Sequence, residues 1–303
     1  MRAAGRGRGA GGEAPVRVTL AGLVFALHGV GWRPDVPAGP GWEPAAGDGP
    51  TDVAVTVARR RRRAAGVGAG GAGWPLRGLV DAWWIPAPGG AVPGAGGDPT
   101  PDALPVAGAR HAGGPLALRL EARQPLPTAV AVKFALALTL PRRGGLLLHA
   151  AAVATAPAGP PAAAAGEGRA GAWLLLGGSG AGKTTLATAF AAAGGEVLSD
   201  ETVAVLPAGD GFVVHATPFW GERAPPPGFR LRALPLRGLV WLGTAEGLPA
   251  LLRRLLLPAA APALKAAALA AATRLLAAGP GWRLPRRDAI LERCGELQRI
   301  VAS

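Results

Sequence analysis

Apolar and polar residues alternate in short runs along the first half of the chain, the pattern of half-buried β-strands. The clearest runs are Val16–Leu20, Val53–Val57 and Leu116–Leu120. Long Gly- and Pro-rich stretches, typical of loops, separate these runs. We therefore predict a small, β-rich N-terminal domain over residues 15–125, preceded by a disordered leader at residues 1–14.

The second half contains longer apolar segments, some with the pattern of strands and some with the pattern of helices, which predicts an α/β domain over residues 126–303. The expected strands are Leu146–Val153, Trp173–Leu176, Glu196–Leu198, Thr202–Leu206, Gly211–His215 and Leu236–Leu242. The expected helices are Pro127–Leu140, Thr184–Ala193, Leu248–Ala278 with interruptions at Pro258 and Pro262, and one from about Asp288 to Val301. An Ala-, Gly- and Pro-rich insert at Pro157–Gly171 is expected to be an exposed loop.

Charge suggests a ligand class but does not identify it. The formal net charge is +13, and a basic chain can bind nucleic acid. Most of the arginines are scattered, however, and the chain has no recognisable nucleic-acid module. The run Arg59–Arg63 reads as a solvated loop after a strand, with an anion-binding or nucleic-acid-binding patch as the alternative. We expect no nucleic-acid partner.

Cysteine usage and hydropathy bear on the cell compartment. Cys294 is the only cysteine, so no intrachain disulfide can form, which suits a reducing cytosol. The apolar segment Val18–Val30 is short and contains His28, which favours a strand over a signal peptide. No apolar run reaches 18 residues. A cytoplasmic protein without a membrane span is expected.

The chemistry of the chain centres on a Gly-rich turn. Residues 174–186 read LLLGGSGAGKTTL, which fits the P-loop pattern with Gly177, Gly182, Lys183 and Thr184 in the required places. An apolar strand is predicted before the turn and a helix free of Gly and Pro after it. In this context the backbone amides converge on a phosphate, Lys183 reaches the outer phosphates, and the Thr184 hydroxyl can bind Mg²⁺. A chance match among 48 glycines is the alternative, but it leaves the Lys-Thr pair unexplained.

An acidic pair, Asp200-Glu201, follows the strand after the P-loop helix. Ligands of α/β proteins sit at the carboxyl ends of strands, so the pair can hold Mg²⁺ or accept a proton. A solvated turn or a helix cap is the alternative. His149 stands on an apolar strand, where a structural role is also open. Residues 217–223 form either a loop of the site or a packed corner.

Together these residues resemble the C-terminal catalytic domain of HPr kinase/phosphorylase, and more closely the shorter HPr-kinase-like proteins of bacteria. The resemblance covers about residues 145–245. The residues that carry it are His149 on its strand, the P-loop residues 177–184, Gly194, and Ser199-Asp200-Glu201. The resemblance implies a P-loop kinase-like domain with an HPr kinase/PEP carboxykinase-like mixed sheet.

The resemblance also implies an activity, the transfer of the γ-phosphoryl group of ATP to a serine-type hydroxyl on a protein, peptide or small molecule. In that activity Asp200 accepts the hydroxyl proton and His149 tunes or orients the acidic pair. Thr184 and Glu201 hold Mg²⁺, with Glu222 as a further candidate ligand. The implied nucleotide-binding residues are Gly177, Gly178, Ser179, Gly180, Ala181, Gly182, Lys183, Thr184 and Thr185.

The sequence also departs from the family pattern. The family's acidic pair is usually Asp-Asp, and the E-x-R-G-x-G stretch of the true HPr enzymes has no counterpart, so HPr as the acceptor is not implied. A P-loop ATPase is one alternative, although the strand Leu236–Leu242 ends in Gly243 instead of an Asp. A catalytically weak nucleotide-binding regulatory protein is another, and the presence of Asp200 argues against it.

Overall fold

A computed structural model gives the fold of most of the chain. It describes residues 15–30, 42–44, 51–59, 73–76, 80–83, 116–122, 127–154, 170–221, 224–226, 229–257, 262–284 and 290–302. Four sequence predictions concern residues that lie wholly or mostly outside these ranges. They are the leader at 1–14, arginines 60–63 of the basic run, most of the insert at 157–171, and Glu222 as a metal ligand.

The N-terminal residues form a five-stranded sheet. Its strands, in the spatial order β3-β1-β2-β4-β7, are β3 (Glu43–Pro44), β1 (Val16–Leu20), β2 (Leu23–Val30), β4 (Val53–Arg59) and β7 (Leu116–Ala122). A separate pair consists of β5 (Gly73–Leu76) and β6 (Val80–Trp83). The three predicted strands are confirmed. The segment Val18–Val30 is not one strand, because Ala21 and Gly22 adopt positive φ angles and turn the chain into the β1–β2 hairpin.

Helix α1 (Thr128–Thr139), which confirms the predicted helix, packs against this sheet. Its buried residues join those of β1, β2 and β4 in one apolar cluster, which also includes Leu147 and Ala204 from the second sheet and Phe219 from a loop between two strands of that sheet. A polar contact adds to this packing, since Arg143 after α1 donates to Asp52 at 3.0 Å. The predicted boundary near residue 125 falls between β7 and α1, at residues outside the described ranges.

The second sheet has eight strands. They are β8 (Leu146–His149), β9 (Ala151–Ala154), β10 (Ala172–Gly177), β11 (Glu196–Ser199), β12 (Thr202–Ala208), β13 (Gly211–His215), β14 (Ala233–Leu242) and β15 (Gly281–Leu284). The spatial order is β11-β9-β10-β14-β13-β12-β8, and β15 pairs with β14. Strands β10, β14 and β15 are parallel neighbours, whereas the other pairings are antiparallel. The fold is therefore mixed α/β.

Helices cover both faces of this sheet. The helices are α2 (Lys183–Ala192), α3 (Gly247–Leu252), α4 (Pro262–Ala278) and α5 (Ile290–Ala302). Along β10, Leu174 and Leu176 pack into the cluster that includes α3 and α4, whereas Trp173 and Leu175 pack into the cluster that includes α2 and α5. Because β10 is buried on both sides, its sequence is a continuous apolar run and not an alternating one.

The sheet is curled, so that its two ends meet. β8 lies at one end of the strand order and β9 near the other, yet only Ala150 separates them along the chain. Likewise, only Asp200 and Glu201 separate β11 at one end from β12 near the other. The Ala150 N–H donates to the Glu201 carbonyl at 3.0 Å and joins the two connections. We call this place the seam.

The seam corrects one prediction. The apolar run Leu146–Val153 was expected to be a single strand, but it forms two strands that pair with different partners. Hydrophobicity shows that both parts are buried, whereas the choice of pairing partner depends on chain segments far away in the sequence.

The predicted helical stretch Leu248–Ala278 is interrupted, as expected, but the first helix ends at Leu252, before Pro258. The chain leaves α3 at Leu252, turns through Arg253 and Arg254, and pairs with β8, where the Leu256 N–H donates to the Leu147 carbonyl at 2.9 Å. A new helix then begins at Pro262, a residue well suited to the first helical turn. The short strand β15 was not predicted. Among the described residues, no helix combines the length and apolarity needed to cross a membrane.

Candidate functional site

The Gly-rich loop follows β10 and leads into α2, as predicted. Gly177 must be glycine, because a Cβ there would lie 2.8 Å from the Ala181 Cβ and 3.0 Å from the Leu242 Cβ. Gly180 and Gly182 have φ angles of 73° and 84°, in the left-handed region that favours glycine. The glycines thus set the path of the loop.

Lys183 begins α2 and is 6% exposed. Its ammonium donates to the carbonyl oxygens of Gly177 and Gly178, each at 3.0 Å, and so reaches across the loop. The N-cap residue, Gly182, offers no side chain to the first amides of α2. A helix start of this kind presents its N–H groups and its positive dipole end to an anion.

The predicted nucleotide-binding residues differ in accessibility. Lys183 and Gly177 are buried, whereas the tip of the loop reaches solvent. Ser179, Gly180 and Thr185 are exposed, and Gly178, Ala181, Gly182 and Thr184 are half-buried. The loop is therefore open to a ligand at its tip while its base is fixed in the core.

Three predicted residues meet at the seam. His149 ends β8 and is paired in register with Thr202, which directly follows the acidic pair. The His149 backbone N–H donates to the Arg254 carbonyl at 2.7 Å. Glu201 is held to the same place by the bond from Ala150 to its carbonyl. The structure thus brings His149 and the acidic pair together, although 51 positions separate His149 from Asp200.

Asp200 is buried, with 4% of its surface exposed. Its Oδ1 accepts a hydrogen bond from the Gly221 N–H at 3.0 Å. The aromatic segment 217–221 therefore folds over the acidic pair, and a Cβ at Gly221 would lie 3.7 Å from the other carboxylate oxygen. The sequence left open whether this segment is a loop of the site or a packed corner. It contacts the site directly.

Two cationic residues at the site were not predicted. Lys133 on α1 places its Nζ 3.5 Å from the Glu201 Oε1 and 5.5 Å from the centre of the Phe219 ring. Arg254 follows α3 and reaches the Gly-rich loop, since a Cβ on Gly178 would lie 3.6 Å from its Nη2. The sequence marks both residues by their charge. Lys133 is the only charge in an apolar helix, and Arg254 belongs to an arginine pair in an Ala- and Leu-rich stretch.

Burial and the nearby cations together lower the pKa values of two site residues. Burial lowers the pKa of His149, and the positive charges of Lys183, Arg254 and Lys133 lower it further, against the opposing effect of Glu201. Burial and the nearby Arg254 also lower the pKa of Lys183. His149 is therefore neutral at pH 7. Three cations held this close to one another favour the binding of a polyanion.

Two of the three predicted metal ligands, Thr184 and Glu201, lie among the described residues. A Thr184 hydroxyl and a Glu201 carboxylate are donors of the type that Mg²⁺ prefers, together with water and phosphate oxygens. In the part of the chain that the structure describes, no group of three or more His, Cys, Asp or Glu side chains could hold a metal ion. The fit to Mg²⁺ therefore rests on the chemistry of these two oxygen donors.

A scan against protein-family models and a search of curated proteins found no match for this chain.

Proposed function

We propose that this protein transfers the γ-phosphoryl group of ATP to a serine-type hydroxyl on a protein, peptide or small molecule. One observation carries the proposal: the seam brings the Gly-rich loop, the acidic pair and three cations to one place. Arg254 links the two sides, because its carbonyl accepts the His149 N–H at 2.7 Å and its Nη2 lies 3.6 Å from the Cβ position of Gly178 on the loop. Phosphoryl transfer needs these parts, namely phosphate positioning, charge neutralisation and a base.

The finer fold assignment belongs to the same proposal. We propose that residues 126–303 form a P-loop kinase-like domain of the HPr kinase/PEP carboxykinase-like type. The order of a buried strand, Gly-rich loop, helix and strand ending in an acidic pair supports this assignment. The curled mixed sheet supports it too, since it joins that pair to the strand that carries His149. The single, buried thiol of Cys294 suits the cytoplasmic location that we propose with it.

On the phosphate side, the amides of residues 178–184 and the Lys183 ammonium bind the β and γ phosphates. Lys183 donates to two loop carbonyls, so its ammonium lies against the loop that would hold the phosphates. Arg254 adds a second positive charge beside Gly178. A guanidinium is well suited to phosphate because it presents several donors in one plane.

On the acceptor side, Asp200 takes the proton of the attacking hydroxyl. The acceptor oxygen forms its bond to the γ phosphorus while the bond to the β–γ bridging oxygen breaks, and ADP carries away that electron pair. The Gly221 N–H fixes the Asp200 carboxylate through Oδ1, which orients the base. His149, neutral at pH 7, lies beside the pair without adding a positive charge that would weaken the base.

Mg²⁺, when bound, neutralises charge on the β and γ phosphates. Thr184 and Glu201 are the described residues that would hold it, with Glu222 as the predicted further ligand. Lys133 pairs with Glu201 at 3.5 Å, which ties this partly exposed carboxylate to helix α1. Among the described residues, the proposed Mg²⁺ ligands are thus one hydroxyl and one ion-paired carboxylate.

The test uses γ-labelled ATP with Mg²⁺ and a bacterial cell lysate from which nucleotides have been removed. We expect label to move to an acceptor only when the wild-type protein is present. The matched control is Asp200→Asn, which keeps the shape of the side chain but cannot take the proton at neutral pH. If the wild-type protein releases only inorganic phosphate in every extract, ATP hydrolysis replaces the transfer reaction as the function.

A further inference from the structure

The C-terminal helix brings a buried arginine to the Gly-rich loop. Helix α5 packs on α2, where Leu297, Cys294 and Val301 join Leu186 and Phe190 in one apolar cluster. Arg293 lies on the same helix and is only 4% exposed. A charged side chain is rarely buried to this extent unless it is engaged in specific polar contacts.

One contact of Arg293 is with the backbone of the loop. Its Nη1 and Nη2 each lie 3.4 Å from the Ala181 carbonyl oxygen, so the guanidinium donates to this oxygen with both nitrogens. A Cβ on Gly182 would lie 3.2 Å from Nη1. Gly182 therefore leaves the space that the guanidinium needs, in addition to adopting its positive φ angle.

The contact determines the direction of a loop amide. The peptide bond between Ala181 and Gly182 is trans, so its C=O and N–H point in opposite directions. Because the Ala181 carbonyl points at Arg293 on α5, the Gly182 N–H points away from α5. Gly182 also precedes Lys183, and its N–H is one of the amides that bind phosphate in the proposed function.

We propose that Arg293 is a positioning residue that holds the 181–182 peptide in the orientation required for phosphate binding. The inference rests on the proposed function, since it assigns a role in nucleotide binding at the same loop. Arg293 acts from outside the loop, through the peptide, and does not touch the nucleotide. The C-terminal helix is thereby part of the phosphate-binding structure, although its sequence shows no nucleotide-binding motif.

The test compares Arg293→Met with wild type by calorimetric titration of ATP and ADP and by steady-state kinetics. We expect the Kd of both nucleotides to rise about tenfold, the loss expected for one hydrogen bond to a charged group. Both ATP and ADP should be affected, because the loop binds the β phosphate that both carry. The KM for ATP should rise while kcat at saturating ATP changes less than about twofold.

The matched control is Arg299→Met on the same helix. Arg299 is exposed and donates to the Gly295 carbonyl of its own helix at 3.4 Å, so nucleotide binding should not change. Arg293→Lys keeps the positive charge and can donate one hydrogen bond to the Ala181 carbonyl, so it should recover part of the affinity that the Met variant loses. If the Met variant does not fold, the Lys variant decides: a raised Kd for both nucleotides supports the proposal, and an unchanged Kd overturns it.

Three results overturn this inference alone, provided that the wild type binds ATP. They are a Met variant with wild-type Kd values, a loss restricted to ATP, which indicates direct contact with the γ phosphate, and a loss of kcat together with a lower unfolding midpoint, which indicates a purely structural role. A wild-type protein that binds neither nucleotide overturns the proposed function and this inference with it.

Discussion

The two sides of the candidate site are built in different ways. The Gly-rich loop is a local structure, made by consecutive residues from Gly177 to Thr184 between one strand and one helix. The acidic side is assembled from distant segments. Lys133 comes from α1, His149 from the end of β8, and Glu201 from the β11–β12 connection.

Because the two sides are built differently, their structures depend on different parts of the chain. The loop's shape depends on its own glycines and on the Arg293 contact with the Ala181 carbonyl, and a substitution there acts mainly on phosphate binding. The acidic side depends on the curl of the sheet, which brings Ala150 and Glu201 into hydrogen-bond contact. Substitutions in the loop should therefore change nucleotide affinity. Substitutions at the seam should change turnover or the Mg²⁺ requirement.

The largest expected effect is on turnover. Asp200→Asn should lower phosphoryl transfer by 10²–10⁴-fold, the range for loss of a general base, and leave the Kd for ATP within about twofold. The amide oxygen of Asn can still accept the Gly221 N–H, so the local structure is retained. Asp210→Asn, in the exposed turn between β12 and β13, is the control. Full transfer by the Asp200 variant would contradict the base assignment.

The second prediction distinguishes the two acidic residues. If Glu201 helps to hold Mg²⁺, Glu201→Gln should raise the Mg²⁺ concentration for half-maximal activity by about tenfold or more, and excess metal should restore most of the rate. Asp200→Asn should show no such rescue. Both variants are titrated with Mg²⁺ at saturating ATP. An identical metal response in the two variants would remove the division of roles between base and ligand.

The third prediction concerns Arg254, which follows helix α3 and reaches the Gly-rich loop. Arg254→Met should raise the Kd for ATP about tenfold by removing a charged donor beside Gly178. Arg253→Met is the matched control, because that neighbour is exposed. Equal losses in the two variants would indicate a general charge effect instead of a contact at the loop.

The smallest effect is the pH dependence of stability. The pKa of His149 is lowered from 6.5, so the unfolded chain binds its proton at a higher pH than the folded chain. The free energy of unfolding therefore falls as the pH drops below about 6.5. His149→Gln should weaken this fall, as measured by chemical denaturation between pH 7.5 and 5.5. An unchanged slope would contradict the burial and charge assigned to His149.

His215 provides an internal comparison for that measurement. Burial alone lowers its pKa, without the cations that surround His149. His215→Gln should also weaken the fall in stability at acidic pH. ATP and Mg²⁺ should reduce the contribution of His149, because phosphate charge offsets the nearby cations, and should leave that of His215 unchanged. A ligand effect of equal size at both histidines would place the phosphates away from the seam.

The same contrast explains what the sequence could predict. The strand, the Gly-rich loop and helix α2 were predictable because glycine spacing and apolar runs act within a short window. The acidic pair was predictable as a candidate because it follows a strand. By contrast, neither Lys133 nor Arg254 could be placed from local pattern. Their positions depend on how α1 packs on the sheet and on where the chain leaves α3.

The division of Leu146–Val153 into two strands and the early end of the helix that begins the stretch Leu248–Ala278 have the same physical origin. The run Leu146–Val153 is apolar throughout, so nothing in its hydrophobicity marks the change of partner at Ala150. The stretch after Leu252 has high helix propensity, yet its backbone pairs with β8 instead. In both cases tertiary hydrogen bonds decided the outcome where propensity was uniform.

The most direct measurement of the central claim is a calorimetric titration of ATP, with Mg²⁺, into the wild-type protein and into Lys183→Met. Methionine keeps the length and burial of the side chain and removes the ammonium, so the unfolding midpoint should stay close to that of the wild type. The account predicts that the wild type binds ATP and that the variant loses at least about 100-fold in affinity. Equal affinity in the two proteins, or no binding by the wild type, would contradict it.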